Sequence, residues 1–237
     1  MAGSGAPWEA ASGWPVLIVI AVVLLVGLIV VGAVVAVRRE RRRREALRQW
    51  ASRYGWTYVE RPTTDWWSRL PGRNRWGVSL MLSGVMGGYP VSVADYSYTD
   101  TSTSTSHRAD GTSSTSSSST TYHFVVVVVR LGRPGPTIEV WPRHGLSKLG
   151  RAIFGDAAAA IGYEPFDRAF RITAKDPAAA RHLVGRSLVS EHLAGRVPAW
   201  SLRGTELLTY QRGRLGDPAA IPGMAAPLVR VATLLGR

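Results

Sequence analysis

The stretch PVLIVIAVVLLVGLIVVGAVVAV, Pro15 to Val37, holds no charged side chain, and RRERRRR, Arg38 to Arg44, follows it at once. As a helix rising about 1.5 Å per residue the apolar run is roughly 34 Å long, enough to cross a hydrocarbon core of about 30 Å. The charge around it is lopsided. Before the run there is one acid, Glu9, and no Lys or Arg; after it come Arg38, Arg39, Arg41, Arg42, Arg43 and Arg44. The positive-inside rule then predicts residues 1–13 outside as a short disordered N-terminus and everything beyond Arg38 in the cytoplasm. A cleaved signal peptide would need its positive charge before the run and a shorter apolar core of about 7 to 15 residues. The expected localisation is therefore the cell membrane, single-pass, with residues 14–37 as the anchor.

The rest of the chain is long enough for a domain with its own core. Cysteine is absent, which removes disulfides and thiolate metal sites from consideration. The net charge is +13. A basic segment beside an anionic inner leaflet gains about 1 kcal/mol per Lys or Arg near the surface, so the six arginines form the predicted membrane-surface site. Nucleic acid is the other anionic partner class, but no zinc-finger, RNP or helix-turn-helix signature supports it.

Residues 38–54 continue the helix. Leu47, Trp50, Ala51 and Tyr54 make an apolar stripe, and Gly55 ends it. From residue 55 to 237 the pattern predicts an α+β domain, a mixed and mostly antiparallel sheet with two to four helices, lacking the repeating βαβ of a doubly wound sheet. Trp56 to Glu60, Val78 to Met86 and Val91 to Tyr98 read as strands, the last two joined at Gly87-Gly88. Five consecutive valines, Val125 to Val129, read as a strand buried on both faces. Thr137 to Trp141 reads as a separate strand after a turn at Gly132 to Pro136. Between Tyr98 and the valines lies a Ser/Thr tract, residues 99–121, with no aliphatic side chain larger than alanine; it is expected to be a disordered hairpin loop. Further on, Leu146 to Phe154 is a helix candidate and Phe166 to Ala174 a strand. Asp176-Pro177 starts a helix to about Leu193. Arg203-Gly204-Thr205 is expected to turn a hairpin, and Pro218 to Leu235 is a last apolar helix.

The Phe166-Asp167-Arg168-Ala169-Phe170-Arg171-Ile172 segment and the following Lys175-Asp176-Pro177-Ala178-Ala179-Ala180-Arg181 resemble the C-terminal half of a bacterial family of unknown function. Its members have N-terminal membrane helices and a cytosolic α+β domain. The resemblance spans about residues 164 to 212. It implies architecture only, with no reaction, cofactor or catalytic residue.

No motif for chemistry stands out. The five histidines do not form a ligand pair at helical spacing, and no phosphate loop or nucleophile elbow occurs. Asp95, mid-strand beside Tyr96 and Tyr98, reads as a buried carboxylate held by a tyrosine rather than a catalytic acid. Trp66, Trp67 and Trp76 read as core packing plus a partner surface, with base stacking beside Arg69, Arg73 and Arg75 as the other reading. No cofactor and no metal are expected. The function expected is a non-catalytic interaction or structural domain at the inner membrane face with a protein partner. An enzyme acting on lipid or envelope precursors and a membrane-held nucleic-acid binder are the other classes.

Overall fold

The computed structural model describes residues 14–107, 113–143 and 158–236. Contacts divide the chain into two units, one ending at Ala46 and one starting at Leu47. The described residues of the first, from Trp14 on, are all helix. α1 runs from Trp14 to Arg53 without a break, and every side chain from Leu17 to Val37 is exposed. Valine-rich sequence is a modest helix former in water, but hydrocarbon leaves backbone groups no partner except the helix's own ladder. This helix is long and apolar enough to cross a membrane, which is consistent with membrane anchoring. Within the arginine block Glu40 bridges Arg43 and Arg44, three and four positions on, at 2.8 Å each.

The second unit begins with the last two turns of α1. Leu47 and Ala51 are buried as expected, whereas Tyr54 is 61% exposed. Gly55 at φ +69° follows, and the Trp56 amide donates back to the Ala51 carbonyl, closing the helix end. Seven strands then form one sheet, each pairing antiparallel: β1 (Thr57–Glu60), β2 (Val78–Met86), β3 (Tyr89–His107), β4 (Ser113–Pro142), β5 (Ala158–Ala159), β6 (Phe170–Ala174) and β7 (Trp200–Arg212). The order is β1-β2-β3-β4-β6-β5, with β7 also on β4. Gly87 and Gly88 both take positive φ, giving the two-residue turn expected between β2 and β3.

β4 is the spine of the sheet. Val125 to Val129 bond to β3 on one edge and β7 on the other. Their side chains alternate between two cores. Val125, Val127 and Val129 face one that is covered by the end of α1, α2 (Glu164–Ala169), α3 (Pro177–Leu183), α4 (Arg186–Leu193) and α5 (Ile221–Leu235). Val126 and Val128 face the other, capped by Trp66 from a short 3-10 turn and by Leu70 between that turn and the next. The second apolar helix by composition, residues 218–235, buries Ile221, Ala225, Leu228 and Ala232 in the first core, so it is a core helix.

Several expectations need correction. The Ser/Thr tract is not a disordered loop over residues 99–107 and 113–121; residues 108–112 lie outside the described residues. Thr99 pairs with Thr121, and the ladder continues to His107 opposite Ser113. A β-ladder bonds through the backbone and needs no apolar side chain, and β-branched threonine suits it. Hydroxyls also pair across the strands at 2.9 Å: Thr99 with Thr121, Ser102 with Ser118, Ser104 with Ser116. The ribbon extends about 30 Å at roughly 3.3 Å per residue, and residues 99–105 and 115–121 are all exposed. It contributes nothing to either core. Replacing residues 100–120 by Asn-Gly should therefore shift the melting temperature by less than about 4 °C, roughly 1 kcal/mol. A larger loss on a thermal melt would show that the ribbon braces the domain.

Phe166 to Ala169 is helix, not strand, because Phe166 turns into the core from α2 and only Phe170 onward pairs with β4. The helix started by Asp176, whose carboxylate accepts from the Ala178 and Ala179 amides, stops at Leu183; Gly185 then starts α4. Gly204 at φ +59° does not reverse the chain. β7 runs through it, and both halves pair along β4, whose own irregularity at residues 130–138 replaces the turn expected at Gly132 to Pro136. The helix expected at Leu146 to Phe154 lies outside the described residues.

Candidate functional site

The three tryptophans of the predicted partner surface differ in exposure. Trp66 is 5% exposed and belongs to the second core, Trp67 is half-buried, and Trp76 is 78% exposed. Trp66 is core because a 3-10 turn eclipses residues three apart, which points Trp66 and Arg69 the same way, into the sheet. Trp76 sits outside that turn, on a bend where Asn74 accepts from the Trp76 amide, with the Arg75 guanidinium 5.2 Å from its ring.

Arg69 is the polar centre of the second face, and sequence reading gave it no such role. It is 3% exposed. Its guanidinium donates to the Ser201 carbonyl at 2.5 Å, the Ser201 hydroxyl at 2.7 Å and the Glu206 carbonyl at 3.2 Å, and it lies 3.8 Å from the Glu206 carboxylate. Burial pulls its pKa down to about 10, with Glu206 opposing, so it remains charged at neutral pH. The signal for it was the Trp66-to-Arg69 spacing, legible once the segment is known to be 3-10. Beside it lies a cavity of about 390 Å³ lined by Thr64, Asp65, Ser83, Ser92, Arg130 and Glu206 among others. Ser83 and Ser92 hydroxyls pair across its floor at 2.8 Å.

On the helical face, His192 is 2% exposed. The Trp200 indole N–H donates to its Nε2 at 2.9 Å, and Phe166 and Phe170 meet its ring edge-on. Its other nitrogen, Nδ1, is buried with no partner. Glu191, next to it, is held well below the usual carboxylate range, at about 2, by hydrogen bonds from Arg196 and Arg230. Asp95 is buried and accepts from the Leu215 amide at 3.4 Å, tying the segment before α5 to the sheet. The Tyr96 hydroxyl is satisfied elsewhere, by the Pro71 carbonyl and the Asn74 amide. His123 is half-buried and His182 exposed, while His144 lies outside the described residues. Among the described residues no group of three His, Asp or Glu could hold a metal ion.

A larger cavity, about 870 Å³, opens between the segment leading into α2 and helices α3 and α4. Ile161, Tyr163, Val184, Val189 and Leu193 give it apolar walls, and Arg181 and Arg186 are its charged residues. Neither cavity is lined by Asp95 or His123.

A long apolar helix followed by an antiparallel sheet domain with helices on one face defines the class: an α+β protein with an N-terminal helix fit for membrane anchoring. Among solved structures, the chain is similar to the crystal structure of the mycobacterial trehalose monomycolate transport factor A, TtfA. The match is 14% identical, covers 81% of this chain and 93% of that one, and has a TM-score of 0.50. At that identity the likeness concerns the fold alone. No family model and no curated relative match the chain, so the resemblance over residues 164 to 212 has no family match behind it.

Proposed function

We propose that this protein is a single-pass, membrane-anchored accessory factor whose α+β domain binds a protein partner at the cytoplasmic face and carries out no reaction itself. The observation that supports this reading is the combination of α1 with a fold similar to that of a transport factor. By analogy, the partner is a component of envelope-lipid transport. The arginine collar, Arg38 to Arg44, is the element that orients the anchor and meets the anionic inner leaflet, although Arg43 and Arg44 share their charge with Glu40. Trp76, with Arg75 beside it, is the element of the predicted tryptophan surface open to a partner.

Two measurements test this. A phosphatase fused after Arg237 should be inactive and a fluorescent protein there should be bright; the reverse pattern refutes the topology. Affinity capture of the tagged full chain from crosslinked membranes should yield a reproducible membrane-transport partner, and Trp76→Ala should weaken that capture. No partner, together with a rise in melting temperature on adding an envelope-precursor metabolite, would favour an enzyme instead.

A further inference from the structure

We propose that the cavity between the segment leading into α2 and helices α3 and α4 binds an anionic single-chain amphiphile, an acyl chain ending in a carboxylate or phosphate. This ligand site goes beyond the partner-binding role and stands whether or not a protein partner is found.

The residues of α4 set the polarity. Arg186, Val189, Ser190 and Leu193 all line the cavity, at the i, i+3, i+4, i+7 spacing of one helical stripe. The stripe starts with a guanidinium and ends in a leucine, over roughly 10 Å at about 1.5 Å per residue. The cationic end coincides with the start of α4, whose N-cap, Gly185, offers no side-chain acceptor to the first amides. An anion there meets both the arginine and the positive end of the helix. Arg181, from α3, adds a second guanidinium. Its Nε donates to the Ala160 carbonyl at 2.8 Å, which anchors the side chain and uses one of the five N–H donors a guanidinium has. Among the described residues no acid lines the cavity, so a cationic ligand finds no counter-charge there.

The apolar part calls for a chain rather than a small anion. Val184 and Val189 are buried in the wall, yet Tyr163 is 50% exposed and Leu193 41% exposed at the same cavity. Large side chains left in water around a hollow gain from a hydrocarbon that covers them. The opposite side of α4 is spoken for: Leu188 and His192 are in the core and Glu191 is held by Arg196 and Arg230. The volume, about 870 Å³, lies within the usual range for a ligand pocket, about 300 to 1,000 Å³.

The test uses the full chain in nanodiscs of neutral phosphatidylcholine. Diazirine-bearing palmitate, a diazirine lysophosphatidate and the matching diazirine alcohol are photolysed separately, and the crosslinks are mapped by peptide mass spectrometry. Labelling of α1 by all three serves as the bilayer reference. The expected result is crosslinks within residues 161–163 and 181–194 from an anionic probe, with the alcohol at least about fivefold weaker there, the discrimination two charge-assisted contacts allow. Labelling by palmitate alone assigns a free fatty acid; labelling by lysophosphatidate assigns a phosphate headgroup. Arg181→Gln/Arg186→Gln should lower the cavity label by a similar factor and leave the α1 label unchanged. Equal cavity labelling by acid and alcohol in the wild-type protein, no label outside α1, or full labelling of the double variant would overturn the proposal. The acid-against-alcohol comparison needs no variant, so a folding defect cannot obscure it.

Discussion

Replacing Arg69 by methionine is expected to destabilise the domain by about 3 kcal/mol, at the lower edge of the 3 to 5 kcal/mol that follows removal of one partner from a buried ion pair. Methionine fills much of the space, so packing is not the main loss. What is lost is a set of charge-assisted bonds to the Ser201 carbonyl and hydroxyl and the Glu206 carbonyl, at 2.5 to 3.2 Å. Ser201 is 3% exposed, so its carbonyl cannot turn to water for a replacement donor. The Glu206 side chain is 27% exposed and keeps Arg130 at 4.0 Å, which is why the cost stays at the lower edge. For a domain of this size the melting temperature should fall by about 6 to 12 °C. Arg69→Lys should fall between, since one ammonium keeps the charge but cannot reach both carbonyl groups. A thermal melt of Arg69→Met within about 2 °C of wild type would mean that the buried guanidinium is dispensable.

Acid should destabilise the protein in a window set by His192. Trp200 donates to Nε2, so the ring is neutral with its proton on Nδ1, an assignment that follows from the hydrogen bond. The groups around it are aromatic, Phe166, Phe170 and Trp200, and burial pulls its pKa down to about 4 from the usual 6.5. The unfolded chain takes up a proton near pH 6.5 and the folded protein does so only near 4. Between those values the unfolded state binds more protons, so stability falls as pH falls. The contribution is intact above about pH 6.5 and largely lost by about pH 4, amounting to roughly 3 kcal/mol at 1.36 kcal/mol per pKa unit. Glu191 works in the same direction but lower, losing its contribution as pH falls below the ordinary carboxylate value toward about 2. The step between pH 7 and pH 5 therefore belongs to His192. His192→Gln keeps an acceptor for Trp200 and does not titrate, so its melting temperature should be nearly flat across that range. Parallel pH profiles for the two proteins would refute the assignment.

Much of the architecture was legible because it rests on local pattern. Twenty-three apolar residues in a row have few solutions other than a long helix, and the arginines after Val37 mark the end of its apolar part. Val78 to Met86 is a strand with the bounds its sequence predicts, and Gly87-Gly88 makes the turn. The five valines are buried on both faces, as an uninterrupted β-branched run implies. The misreadings share a cause: they treated side-chain polarity or a local breaker as decisive where strand pairing decides. The Ser/Thr tract buries nothing, which suggests a loop, yet backbone pairing continued from Tyr98 and Tyr122 carries it to His107 and Ser113. Gly204 suggests a turn, yet pairing with β4 on both sides of it keeps β7 one strand.

The sequence by itself determined the long apolar helix, the basic block after it and the α+β class, because each depends on periodicity or charge within a few turns of chain. Only the tertiary structure decided which tryptophan is core and which is exposed, that Arg69 reaches Ser201 across 132 positions, and that Trp200 makes His192 a neutral core residue. It likewise decided that Arg181 and the α4 stripe from Arg186 to Leu193 close around one cavity. The Arg69 contact joins distant segments, and burial, hydrogen-bond partners and pKa at all these positions depend on neighbours in space, which no local pattern encodes.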